Sequence, residues 1–201
     1  MFKEDHTTCK NCTCSWPNFE NLSDEQLDLI NSNRFQAKFK AGEIIFKQGS
    51  PTSNAVFLSS GIAKIYMEGY DNKNIILSIV KPRRLIAGPG TYVDNRHHYS
   101  LAALTETSAC FVEMSIIKNL VHENSQFAEG YLKDLSSKSL STFHKLVSFS
   151  QKKMHGRLAE GLVHLADEIF MSDKFNCHMT RQELGEFTGM TKESVVRLLK
   201  E

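Results

Sequence analysis

The chain has 201 residues, 41% of them hydrophobic and 23% charged, an ordinary composition for a soluble protein with room for one large or two small cores. Its formal net charge is +1, so bulk charge points to no nucleic-acid partner, and residues 152–201 are balanced too, with eight Lys/Arg against eight Asp/Glu. No apolar run approaches the roughly 18 residues needed to span a bilayer, and the polar start does not read as a secretory signal, so a cytoplasmic protein with no membrane partner is expected.

Residues 1–20 read as a polar arm carrying Cys9, Cys12 and Cys14; Cys110 and Cys177 stand apart. An odd cysteine count without a signal peptide argues against a disulfide framework. Residues 22–30 predict a short helix capped by Ser23. From Phe35 to Met114 the texture is short β-like runs broken by turn residues: 43–46, 55–58, 62–67, 74–80, 100–104 and 109–114, with a hairpin tip at 69–73. Many short, evenly spaced strands suggest a sandwich, barrel or jelly roll over residues 21–115.

Residues 116–151 then predict one long helix, without proline and with a single glycine, Gly130. Within it Ala128, Leu132, Leu135, Ser139, Thr142, Leu146 and Phe149 alternate steps of four and three, the seam of a helix paired with another helix, here a homodimer. Residues 156–170 form a further amphipathic pattern, and 175–179 a short strand or connector.

Residues 179–200 carry the strongest signal. Thr180 with Glu183 makes a capping box, Gly189 supplies a sharp turn, and Thr191 caps a second helix. Gly185 is small where two helices must cross closely, and Val195 can fill their angle. That is helix-turn-helix logic for residues 152–201. The second helix offers Lys192, Glu193, Ser194 and Arg197 near one face. Arg or Lys can donate to guanine O6 and N7, and Glu can accept from cytosine N4. No nucleophile–base constellation or phosphate loop is present, so an enzyme is not expected.

Thr180-Arg181-Gln182-Glu183-Leu184-Gly185, Gly189 and Lys192-Glu193-Ser194-Val195-Val196-Arg197 together resemble the DNA-reading end of the Crp/Fnr superfamily, the regulators like the cyclic-AMP receptor protein. Gly42, Gly49, Gly61 and the stretch 45–61 resemble its cyclic-nucleotide-binding-like β-roll. The resemblance implies an α+β chain: β-roll sensor, dimerisation helix and winged helix-turn-helix, the wing itself lying beyond Glu201. It implies a sequence-specific transcription regulator that binds a two-fold double-stranded DNA site with GA-containing half-sites, and RNA polymerase as partner. Lys192, Glu193 and Arg197 would hold the base-reading positions, with Thr180, Arg181, Thr191 and Ser194 around them.

The effector positions depart from the family pattern. Where the family has Gly-Glu and Arg-Ser for the ribose and phosphate, this chain has Gly88-Pro89 and Tyr99-Ser100; Thr142 matches a purine-touching position, followed by Phe143. The missing acceptor and cation argue against cyclic AMP. Cys9, Cys12, Cys14 and Cys110 resemble the ligands of an iron–sulfur cluster in the Fnr branch, with one residue between Cys12 and Cys14. Zinc on Cys9, Cys12 and Cys14 with His6, redox thiols, or a plain exposed arm are the alternatives. His97 and His98 read as solvated loop imidazoles, with axial haem ligation as the other reading. A rival function is a cyclic-nucleotide-type binding or interaction module without productive DNA binding.

Overall fold

A computed structural model describes residues 8–12 and 15–201. After short 3-10 turns at Cys9–Asn11 and Pro17–Asn21 comes α1, Asp24–Ser32, whose Ser23 and Gln26 form a reciprocal capping box. Eight strands follow: β1 Arg34–Phe39, β2 Ile44–Phe46, β3 Asn54–Ser60, β4 Ala63–Glu68, β5 Asn74–Val80, β6 Leu85–Ile86, β7 Ser100–Ala103 and β8 Thr107–Glu113. They make two antiparallel sheets, ordered β1-β8-β3-β6 and β2-β7-β4-β5. The β-roll expectation therefore holds, with β1 and β6 as additions that the sequence pattern did not mark.

Strand β3 shows why its apolar run is continuous. Val56 and Leu58 pack with Ile65, Leu101 and Ala109 between the sheets. Ala55 and Phe57 face the other way, onto Trp16, Phe19, Ile30, Ile117 and Phe127. Alternate residues of a strand point to opposite faces, and here both faces are covered.

The long helix is two. Helix α2, Met114–Glu123, ends at Asn124, whose extended backbone and side chain then cap α3, Ser125–Gln151, by accepting from Phe127 N at 3.0 Å. An asparagine cap offers the backbone a local alternative to a continuing helix. The seam is also divided. Leu132, Leu140, Phe143, Leu146 and Val147 are each more than half exposed, and Ser139 lies among them. Leu135 instead packs into the core below the β-roll, and Phe149 turns onto Gly189. Thus only one side of the expected stripe is left for a partner helix.

The end of the arm is packed onto the barrel. Trp16 is 4% exposed and its ring meets those of Phe19, Phe57, Phe127 and Tyr131 at centroid separations of 5.6–6.4 Å. Helix α4, Met154–His164, passes into a π-helical turn, Leu165–Phe170. Residues 175–179 are a connector rather than a strand. Helices α5, Arg181–Thr188, and α6, Lys192–Leu198, complete the chain. Among the described residues no helix is long and apolar enough to cross a membrane.

Candidate functional site

Helices α5 and α6 are built by local signals. Thr180 Oγ1 accepts from Glu183 N at 3.1 Å, and Glu183 Oε2 accepts from Thr180 N at 2.7 Å. Gly189 closes α5 in the left-handed region, φ 66°, where glycine has no Cβ penalty. Thr191 Oγ1 accepts from Ser194 N at 3.2 Å to start α6. A Cβ on Gly185 would lie 2.6 Å from Met190 O, so only glycine lets the turn pass this close. Val195, fully buried, fills the angle beneath.

What remains outside is a polar face. Lys192, Glu193 and Arg197 are exposed and, with Val196, Lys200 and Glu201, line one shallow surface on α6. Thr180, Arg181 and Thr191 are exposed at the two helix starts, and Ser194 is half-buried. Two cations and a carboxylate side by side can donate to guanine and accept from cytosine.

The sensor positions do not form one site. Gly88 lies under Tyr99, with a Cβ placed there 3.6 Å from the ring, and Pro89 opens the 3-10 turn Pro89–Tyr92. Burial pushes the Tyr99 phenol far above its ordinary value, with Tyr131 and Asp134 adding to the effect. Ser100 is turned elsewhere: its hydroxyl accepts from Gln48 N at 2.9 Å and donates to Glu68 Oε1 at 3.2 Å. Thr142 donates to Lys138 O, and Phe143 is exposed on the far stripe. His97 is not solvated. It is 4% exposed and stacked on Phe46 at 3.8 Å, and burial holds its pKa below the ordinary value. His98 is exposed and contacts Asp94 at 3.1 Å.

Comparison with known proteins agrees with this division. The family model described as "Cyclic nucleotide-binding domain" matches residues 36–124, and "Crp-like helix-turn-helix domain" matches residues 156–201. "Electron transport regulator A" of Shewanella oneidensis is 27% identical over 87% of this chain and 70% of its own length. "Transcriptional activator protein Anr" of Pseudomonas protegens is 25% identical over 94% of this chain and 80% of its own. The solved structure of FixK2 from Bradyrhizobium japonicum has a TM-score of 0.75 at 18% identity, covering 83% of each chain, which shows the shared fold. The chain belongs to the Crp/Fnr family of transcription regulators.

In this Crp/Fnr regulator the positions where the resemblance expects nucleotide contacts carry Tyr99 and Ser100. Tyr99 offers a neutral phenol where an anion needs a cation, and Arg96 is engaged with Gly49 O at 2.9 Å.

The thiols do gather. Cys9 and Cys12 from the arm and Cys110 from β8 line one pocket with Arg34, and Arg34 Nη1 donates to Cys110 Sγ at 3.8 Å. Burial pushes Cys9 up to about 11 against the opposing Arg34 guanidinium, and raises Cys110 as well. Cys14 and His6 lie outside the described residues. Among the described residues no three His, Cys, Asp or Glu side chains are placed to hold a metal ion. The described thiols suit a thiophilic metal in kind, and three of them line one pocket, while Cys14, the further ligand that the resemblance names, lies outside the described residues. Arg34 carries no local sequence signal, because it reaches Cys110 only through the β1–β8 pairing. Cys177 is half-buried against the core of the DNA-binding unit.

Proposed function

We propose that this regulator binds a two-fold DNA site as a homodimer, reading bases with Lys192, Glu193 and Arg197 while Thr180, Arg181, Thr191 and Ser194 approach the backbone. The observation that carries this reading is the exposed cation–carboxylate face of α6, held on a buried, doubly capped helix pair. The exposed apolar stripe of α3 supports dimerisation through residues 116–151, since a second copy is the simplest cover for it. RNA polymerase is the partner that the family implies.

The signal, in this reading, reaches the thiol pocket between arm and barrel rather than a cyclic-nucleotide site. The convergence of Cys9, Cys12 and Cys110 supports a redox input, as does a relative named for electron transport. Thiol chemistry requires the thiolate, so the raised Cys9 pKa holds that pocket quiet at neutral pH until the arm shifts. An iron–sulfur cluster on these cysteines with Cys14 is the cofactor that this input would favour.

The DNA-reading assignment is tested by binding to a two-fold duplex with each half-site base varied in turn. Arg197→Ala and Glu193→Gln are each expected to cost about 1–3 kcal/mol on the preferred site and to relax preference at one base pair. Uniform weakening over all sequences in Arg197→Ala would reassign Arg197 to a phosphate contact, and an unchanged base preference in Glu193→Gln would remove Glu193 from base reading.

A further inference from the structure

The helix-turn-helix does not hang from α3 and α4 alone. Tyr66 of β4, Ile76 and Ile79 of β5 and Ala102 and Leu104 share one hydrophobic cluster with Leu184, Phe187, Val195 and Leu198. Two lysines from different elements reach this seam. Lys64 of β4 pairs with Glu183 Oε1 at 2.8 Å, both side chains largely buried, and Glu183 is also the residue that caps α5. Burial raises the Glu183 carboxyl, but Lys64 and Thr180 more than offset it, so it stays ionised at neutral pH.

Lys145 of α3 makes the second tie. The β4–β5 register passes from Ile65↔Ser78 to Tyr66↔Ile76, which leaves Leu77 as the extra residue of a β-bulge. Lys145 Nζ donates to the carbonyls at that bulge, Ile76 O at 2.6 Å and Leu77 O at 3.3 Å. The same Nζ lies 4.2 Å from the Phe187 ring centroid of α5 and 5.5 Å from that of Phe149, and burial pushes its pKa down to about 7, so near neutral pH it makes these contacts as a mixture of ammonium and amine. It therefore joins barrel, dimer helix and DNA-binding unit through one group. The seat buries only the back of α5 and leaves Lys192, Glu193 and Arg197 exposed.

We propose that Lys64 and Lys145 are positioning residues that seat the helix-turn-helix on the sensor barrel and so fix the separation of the two recognition helices in the dimer. A rigid seat makes engagement of the second half-site intramolecular at one spacing, whereas a loose one admits several spacings at lower effective concentration. The proposal rests on the DNA reading above. It assigns the choice of half-site spacing to residues that touch no DNA.

The test uses the full chain, duplexes carrying one half-site, and two-fold duplexes whose centre is lengthened or shortened by two base pairs. The wild type is expected to prefer one spacing by about tenfold or more. Lys64→Met and Lys145→Met are expected to reduce that preference to about twofold with half-site binding unchanged, and Lys64→Arg to restore it. An unchanged spacing preference in both Met variants overturns the proposal, as does a parallel loss of half-site binding, which marks a merely structural role. Amide hydrogen exchange of residues 181–188 separates the two readings. If the wild type binds no specific duplex, the DNA reading fails, yet faster exchange in Lys64→Met still supports the seat and unchanged exchange refutes it.

Discussion

Gly185→Ala is expected to weaken specific DNA binding by about two orders of magnitude. The added Cβ would lie 2.6 Å from Met190 O and 3.4 Å from Lys192 N, both backbone atoms of the turn and of the start of α6. Neither can step aside like the end of a flexible side chain, so α6 must shift against α5 or the pair must open. Overpacking of this kind costs about 1–3 kcal/mol, and displacement of the reading face adds to it. A loss of roughly a hundredfold in specific affinity is the expected reading, since each 1.4 kcal/mol is about tenfold. Gly156→Ala is the matched control, because a Cβ there meets nothing nearer than Lys152 Cβ at 3.7 Å. Inside α4 that change is expected to leave binding intact and to help the helix slightly. Equal effects at both positions would refute the close-crossing account.

The second large effect concerns stability. Trp16 is the hub that joins the arm to the β-roll and to α3, through Phe19, Phe57, Phe127 and Tyr131. Trp16→Ala is expected to lower unfolding stability by about 3–5 kcal/mol, seen as a midpoint drop of roughly 10 °C. Trp16→Phe, which keeps a ring in place, is expected to cost distinctly less. The same variant carries a local readout: alkylation of Cys9 and Cys12 quickens as the arm leaves the pocket. A stability loss below about 1 kcal/mol would mean that the arm is not part of the core.

The parts that were legible in the sequence are those set by neighbours in the chain. The helix-turn-helix follows from Thr180, Glu183, Gly189 and Thr191, each acting within four residues, and its reading face follows from helix periodicity. Strand β1 was hidden because its partner β8 lies some seventy residues further on, and β6 because it has two residues. The α2–α3 break carries only Asn124 as a signal, with no proline or glycine beside it. The seam of α3 read too wide, since Leu135 and Phe149 share its period yet face the barrel side and the DNA-binding unit. His97 looks polar in a loop, and its burial depends on Phe46, some fifty residues earlier. In the arm, Trp16 and Phe19 were the visible anchors among polar residues, overshadowed by the cysteines. Arg34, Lys64 and Lys145 had no sequence signal, because each acquires its role from a non-local contact.

The proposed reading of a two-fold DNA site by a dimer of this chain, through α6, is open to direct measurement. Its most direct measurement is fluorescence anisotropy of the full chain with a two-fold duplex containing GA half-sites, beside a scrambled duplex of equal length and base composition, at one fixed salt concentration and in reduced and oxidised samples. Two chains are expected to bind per two-fold duplex, tighter by about a thousandfold or more than to the scrambled one in at least one redox state. Equal affinity for both duplexes in both states, with only the salt dependence of phosphate contacts, would contradict the proposed reading.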